Sequence, residues 1–336
     1  MKQFKNFIGI DISKDTLDIC LLRGNGETVF FKWENNIAVI SEQLGYLYQT
    51  YELDKQDTLV CAESTGHFGN KLINVCGTEK LNLWVEQAYN ILRSQGLARN
   101  KNDKLDAQRI AEYGKRFNDR ARLYIPDNHN VKLLERLNSE RDLIVKDIAK
   151  YRGQLKQEAG FFDESYFKEK KKRLQKLIKY NQKILLEVEK RIDQVIESDE
   201  QIKNNVEKMT SIEGIGPRTA VATIIATGNF TKFDNPRKFA CHAGCAPFRQ
   251  QSGSSLNSRN KVSQRANKYL KKTFHMAALS VVSSKGELGR YFERKVAEGK
   301  NKMTVINAIR SKLIHRIFAV VKQNRKYEKN YINTLA

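Results

Sequence analysis

Phe7-Ile8-Gly9-Ile10-Asp11-Ile12-Ser13-Lys14-Asp15 is the stretch whose reading decides the fold. Residues 7–12 read as a short buried strand with one carboxylate, Asp11, near its carboxyl end. A second apolar run, 16–22, follows at once, and a third, 27–33, lies beyond the turn Gly24-Asn25-Gly26. Such runs joined by a Gly-containing turn predict a hairpin. Open α/β sheets place their chemistry at the carboxyl ends of central strands. Asp11 alone is as readily a cap or a turn former, so its weight depends on other carboxylates arriving beside it.

They arrive in order. Residues 37–53 carry Ile37, Ile40, Leu44, Leu47, Tyr48 and Tyr51 at helical spacing. Residues 58–62 read as another buried strand, which ends in Glu63. A helix over 70–76 and a fifth strand over 81–85 follow. From about Asp103 the chain again reads as helix, with Asp103 and Asp106 three apart and therefore on one face. Taken singly, Asp103 is also a good N-cap and Asp106 a first-turn residue favoured by the helix dipole. Taken together, two carboxylates at strand ends and two on one helical turn can converge. Like charges held that close are costly unless a cation neutralises them. Oxygen-only ligands select a hard divalent ion, Mg²⁺ or else Mn²⁺. Such ions can hold the attacking and leaving oxygens of a phosphodiester in line.

Composition points to the same class of substrate. The 336 residues include 60 Lys and Arg against 38 Asp and Glu, a formal charge of +22. This length predicts about two domains, and so large an excess of cations implies a polyanionic partner such as nucleic acid. No apolar run reaches a membrane-spanning length of ~18 residues, and no secretory leader is read. Five cysteines, mostly in apolar runs, fit reduced thiols in a cytoplasm. Cys241 and Cys245 lack a second ligand pair at zinc-finger spacing and read as small buried hydrophobes.

The middle of the chain predicts two long helices. Val131, Leu134, Leu137, Ile144, Ile148, Tyr151 and Leu155 form one seam; Leu174, Ile178, Leu185, Val188, Ile192 and Val195 form another, with Asn181 within it. This is a helical hairpin or a dimerising coiled coil. Residues 168–183 add a dense set of Lys and Arg, either a solvated face or one that tracks phosphates. Further on, Ile212-Glu213-Gly214-Ile215-Gly216-Pro217 reads as the turn of a helix-hairpin-helix. Gly214 and Gly216 free the backbone there, and amides at the start of the second helix, beside Arg218, can bind phosphate. Ala243-Gly244-Cys245-Ala246-Pro247 then opens a Gly- and Ser-rich loop that surrounds Ser252 with Arg249, Arg259, Lys261, Arg265 and Lys268. These cations can reach phosphate oxygens. A helix is expected over 264–284.

The ordered carboxylates, the Gly214–Gly216 turn and the 243–247 segment followed by Ser252-Gly253 together resemble the DEDD-type transposases of insertion sequences. These are relatives of Piv-type DNA invertases and are also described as bridge-RNA-guided recombinases. The resemblance spans nearly the whole chain. It implies a fold of class α/β plus α: a RuvC-like domain of the ribonuclease H fold over 1–125, coiled-coil helices over 126–200, and a mostly helical transposase domain over 201–336. It further implies a metal-binding tetrad of Asp11, Glu63, Asp103 and Asp106 and a nucleophilic Ser252, with Ser254, Ser255 and Ser258 as close neighbours. Partners implied are double-stranded DNA at element ends and target, a structured noncoding guide RNA, and further copies of the chain up to a tetramer. The expected location is cytoplasmic, on a bacterial nucleoid. A junction-resolving nuclease using the tetrad alone, or a scaffold that binds nucleic acid without catalysis, are the competing readings.

Overall fold

The computed structural model describes residues 3–94, 102–125, 128–158, 161, 163–248, 251–252, 256–257, 261–262, 266–284 and 286–328. The chain divides into two compact units, Met1–Pro126 and Asp127–Ala336.

In the first unit, β1 (Asn6–Ile12), β2 (Thr16–Leu22) and β3 (Thr28–Glu34) precede α1 (Ile37–Thr50). Then come β4 (Thr58–Glu63), α2 (Asn70–Thr78), β5 (Asn82–Glu86), α3 (Ala88–Ser94) and α4 (Asp103–Arg116). The sheet order is β3-β2-β1-β4-β5. β1 pairs antiparallel with β2 and β2 with β3, whereas β1, β4 and β5 run parallel. This mixed α/β sheet is the RuvC-like arrangement that the resemblance implies.

Strand alternation sorts the side chains onto two faces. Ile8, Ile10 and Ile12 join Leu17, Ile19, Val60 and Ala62 in a core with Ile40, Leu44 and Leu47 of α1 and Leu72 and Val75 of α2. Phe7, Cys20, Leu59, Cys61 and Trp84 point the other way, against Ala107, Ile110 and Ala111 of α4. Gly9 lies on that second face. A Cβ at this position would overlap the backbone of both Ala107 and Ala111, so the strand and helix meet backbone to backbone.

The second unit is mostly helical. Helices α5 (His129–Glu158) and α6 (Glu164–Glu197) lead to α7 (Glu200–Thr210), α8 (Pro217–Thr227) and α9 (Pro236–His242). Four two-residue strands follow: β6 (Pro247–Phe248), β7 (Gln251–Ser252), β8 (Leu256–Asn257) and β9 (Lys261–Val262). The chain then forms α10 (Lys268–Val282), α11 (Glu287–Ala297) and α12 (Lys302–Lys322).

Helices α5 and α6 are antiparallel, because their cross-links climb one helix while descending the other. Asn130 donates to Asp199 (3.2 Å), Arg141 to Glu189 (2.8 Å) and Lys170 to Glu158 (2.8 Å). The two predicted seams therefore close on each other within one chain. Val131, Leu134, Ile144, Ile148, Val188, Ile192 and Val195 share a single core with α8, α10 and α12. The hairpin and the helices beyond residue 200 thus belong to one compact unit. Leu143 and Leu186 stay 61% and 67% exposed on the outside of the hairpin.

α10 starts later than the expected helix over 264–284, because the Asn267 side chain caps it by accepting from the Leu270 amide at 3.1 Å. Helix α12 is buried along Val305, Ile309, Leu313 and Ile317, and its Phe318 packs against Phe239 of α9 with ring centroids 5.6 Å apart. Among the described residues no helix is long and apolar enough to cross a membrane.

Gly9→Ala should destabilise the first unit by about 3 kcal/mol, because overpacking here pushes on backbone rather than on a yielding side chain. Urea unfolding followed by Trp33 and Trp84 fluorescence checks this; a loss below about 1 kcal/mol would show that α4 can retreat freely.

Candidate active site and nucleic-acid contacts

The sheet register builds the acidic site. β1 and β4 pair in parallel through Ile10↔Ala62, so Asp11 and Glu63 are the next residues on neighbouring strands. Phe7 and Gly9 on β1, and Leu59 and Cys61 on β4, alternate onto the α4 face. By the same period of two, Asp11 and Glu63 belong to that face. α4 crosses it with its amino terminus at the carboxyl ends of the strands. Its N-cap is Asn102, whose side chain accepts from the Lys104 amide at 3.1 Å. Asp103 and Asp106 are therefore first-turn residues, and Asp103 is released from the capping role that its position also allowed.

Electrostatics ties three of the four residues together. Burial pushes the Asp11 carboxyl above the ordinary carboxylate range, and Asp106, Asp103 and Asp18 push it further the same way. The Ile12 amide opposes them by hydrogen bonding. Asp11 thus lies within electrostatic reach of both α4 carboxylates. Glu63, half-buried at the end of β4, joins the group through the register.

Three further residues belong to this rim, and sequence reasoning missed them. Asp18 stands directly across from Asp11 on β2 and pairs with Lys32 at 3.2 Å. Glu86 faces Glu63 across β4 and β5. It accepts from the Gln87 amide at 2.7 Å, from Asn90 at 2.9 Å and from the Tyr113 hydroxyl of α4 at 3.3 Å. Arg109 donates to Asp106 at 2.7 Å, one helical turn on. Glu86 was legible as a third acidic residue ending a parallel strand. Arg109 was legible as an i+3 partner of Asp106.

The donor set fits a hard divalent cation, since the four tetrad members offer carboxylate oxygens only. Their mutual repulsion is the quantity such a cation would relieve. The side chains do not close on one point: among the described residues, no three His, Cys, Asp or Glu form a ready metal cluster. Arg109 holds Asp106 in an ion pair.

The sites expected in the second unit are placed unevenly. Gly214 has φ of 86°, and a Cβ on it would overlap Val281 of α10, so its need for glycine comes from both conformation and packing. Gly216 is exposed, N-caps α8 without a side-chain cap, and has open space around it. Arg218 is committed to an ion pair with Glu189, which Arg141 also shares at 2.8 Å. The 168–183 stretch is more open: Lys168, Lys172, Lys176, Lys179 and Lys183 are exposed along α6. Ser252 lies in β7, paired with Leu256, and Lys261 lies in β9, paired with Phe248. The side chains of Ser252 and Lys261 lie outside the described residues, as do Arg249, Gly253, Ser254, Ser255, Ser258, Arg259 and Arg265. Lys268 is exposed in the first turn of α10. Cys241 and Cys245 are free thiols, and burial pushes Cys245 up to about 11.

A mixed five-stranded sheet with acidic residues ending its parallel strands, and a helix bringing two more, defines a RuvC-like DEDD transposase domain. Comparison with known proteins agrees along the chain. A family model of DEDD transposases of the IS110 type matches residues 8–158, and a model described as the transposase IS116/IS110/IS902 family matches residues 206–293. The pilin gene-inverting protein of Moraxella bovis is 27% identical over 97% of this chain and 98% of its own length. That of Moraxella lacunata is 26% identical over the same shares. An insertion element IS110 protein of 43.6 kDa from Streptomyces coelicolor is 27% identical over 36% of this chain and 29% of its own length. The chain belongs to the IS110 family of transposases and is a DNA recombinase enzyme.

The crowding at Asp11 makes a stability prediction. A carboxyl raised in the folded state favours folding when protonated, and that contribution is lost as pH rises through the folded value. At neutral pH without divalent ions, Asp11→Asn should therefore raise the melting temperature by about 1–3 °C. The gain should vanish as pH falls below the ordinary Asp value of 3.8, where Asp11 is protonated in both states. Calorimetry at pH 7 and pH 3.5 in chelated buffer checks this. A destabilised variant at pH 7 would mean that Asp11 is held by attractive partners instead.

Proposed function

We propose that this transposase cuts and rejoins DNA by metal-assisted transesterification through a covalent link to Ser252, at sites selected by a structured RNA of the element. The observation that carries the reading is the half-buried Asp11 carboxyl, crowded by Asp103 and Asp106 at the end of the central strand. Asp11, Glu63, Asp103 and Asp106 would hold Mg²⁺ or Mn²⁺, which when bound supplies charge neutralisation at the attacking and leaving oxygens.

The protein's own groups account for the rest. Arg109 balances the charge of Asp106 and restrains its side chain while no cation is present. Glu86, tied to Tyr113 and Asn90, braces the far edge of the site. In the covalent step the Ser252 oxygen bonds to phosphorus as the phosphorus–sugar oxygen bond breaks. The serine proton leaves to solvent, and the sugar oxygen departs with its bonding pair and gains a proton. Reversal with a different sugar hydroxyl rejoins the strands and restores the serine. The phosphodiester energy is thereby retained, as recombination requires and hydrolysis does not.

Nucleic acid is held through phosphates. The exposed lysines of α6 offer a sequence-independent track. The amides opening α8 after Gly216, in the helix-hairpin-helix reading, and Arg249, Arg259, Lys261, Arg265 and Lys268 around Ser252 add contacts near the reacting strand. RNA guidance and assembly into dimers or tetramers rest on the resemblance to the recombinase family. Exposed Leu143 and Leu186 supply an apolar strip consistent with assembly.

A nicked suicide substrate carrying the element end should yield a protein–DNA adduct that survives denaturation and maps to Ser252. Ser252→Ala should abolish the adduct, whereas Asp11→Asn should abolish cleavage with duplex binding within about twofold of the parent, because phosphate contacts and metal ligands are different groups. Efficient cleavage without any adduct would replace the transesterification by hydrolysis, and full cleavage by Asp11→Asn would remove the tetrad from the chemistry.

Binding should also be steeply salt-dependent, with a log–log slope of about −0.9 per duplex phosphate neutralised. Lys172→Gln combined with Lys176→Gln and Lys179→Gln should lower that slope by roughly 2–3 units in filter binding. An unchanged slope would take α6 out of the interface.

A further inference from the structure

Among the described residues, Arg310 is a buried cation with no counter-charge. It lies on α12 with 5% of its surface exposed, in a helix otherwise buried through apolar residues. A guanidinium stays protonated under all ordinary conditions. Yet among the described residues no carboxylate pairs with it. Its Nη2 donates to Nδ1 of His275 on α10 at 2.5 Å, and its Nε–H has no acceptor. Buried cations are ordinarily paired, and an unsatisfied buried donor is uncommon enough to require a reason.

The surroundings supply the reason. Lys271 precedes His275 by one turn of α10, so the two share a helix face. Lys271 is exposed, His275 half-buried and Arg310 buried, so two cations lie at the surface and in the interior with a neutral imidazole on the same α10 face between them in depth. These groups lie at the foot of the segment that carries Ser252. Asn307, one turn before Arg310, donates to the Cys245 carbonyl at 2.8 Å. Gly244 has φ of 66°, and a Cβ on it would meet the side chains of Ala266, Lys271 and Val262. Pro247 pairs with Val262 where β6 meets β9. Both ends of the serine-bearing segment are therefore fixed over α10 and α12 beside these cations. His275 accepts from Arg310 through Nδ1, which leaves its other ring nitrogen as a further donor. Among the described residues the cluster offers donors and positive charge with no paired carboxylate, which is the chemistry an oxyanion would complete.

We propose that Arg310, Lys271 and His275 bind a phosphate of the nucleic-acid backbone at the base of the Ser252 segment. The site rests on the reading of the chain as a DNA recombinase for its source of phosphate, and on Arg310 alone for its chemistry. It fixes the strand beside the serine through a group distinct from the reacting one, so it is a positioning site.

Two measurements on the full chain test it. In the first, inorganic phosphate replaces chloride at constant ionic strength while the melting temperature is followed. The parent protein should gain stability with a saturable dependence, and Arg310→Met and Lys271→Gln should each lose most of it. In the second, filter binding of duplex DNA is followed against salt. Each variant should lose about 0.9 of the log–log slope, one phosphate's worth. Lys271 is exposed, so Lys271→Gln decides the matter even where Arg310→Met fails to fold. Equal phosphate responses in the parent and Lys271→Gln would overturn the site. A lost phosphate response with an unchanged DNA slope would overturn the backbone as its ligand in favour of a free ion. Failure of the parent to bind DNA at all would sink the recombinase reading instead, and the phosphate arm would still judge the cluster.

Discussion

The contact between β1 and α4 at Gly9 is the constraint on which the first unit depends. Two backbones touch there because one residue lacks a side chain. This approach lowers the first turn of α4 onto the carboxyl end of the central strand, and so brings Asp103 and Asp106 against Asp11. A larger residue would lift the helix and relax the repulsion, and the acidic site would disperse with it. The hydrophobic contacts of Ala107, Ile110 and Ala111 with Cys61, Leu59 and Trp84 hold the helix down. Apolar burial on one stretch of α4 thus opposes electrostatic repulsion on the next.

That opposition explains which parts of the site were legible in sequence. Strand periodicity in 7–12, 16–22 and 58–62 marked the sheet, and the order of acidic residues marked the carboxyl ends of its parallel strands. The capping of α4 was not decided by pattern, because Asn102 and Asp103 both suit the position. The backbone chose Asn102, which freed both aspartates. Glu86 escaped notice because a carboxylate at the end of a short strand looks like any turn residue until the register sets it opposite Glu63. Arg109 escaped because an i+3 ion pair is common on any helix.

In the second unit less was legible, for a physical reason. An apolar stripe states that a helix must be covered and leaves open what covers it. The seams of α5 and α6 suit a dimer as well as a hairpin, and only the antiparallel pairs such as Arg141–Glu189 and Asn130–Asp199 distinguish them. Arg218 shows the same ambiguity for charge. In sequence it stands beside the Gly214–Gly216 turn as a free cation; in the fold Glu189 of the neighbouring helix takes it. A residue's partners, not its type, decide whether its charge is available.

By that criterion the two units are opposites. The first gathers carboxylates at one strand end, where Arg109 pairs with Asp106 and Lys32 with Asp18. The second buries Arg310, whose one hydrogen-bond partner among the described residues is a neutral imidazole. Either arrangement is unfavourable for an isolated fold, since a crowded anion and an unpaired buried cation each forgo solvation without full compensation. Folding alone would remove both, and simple substitutions such as Asp11→Asn or Arg310→Met are chemically available. A phosphodiester accompanied by divalent cations carries the complement of each imbalance, negative oxygens for one and positive ions for the other. On the function and phosphate site proposed above, these local conflicts fall where a substrate, rather than the protein, completes the charge balance.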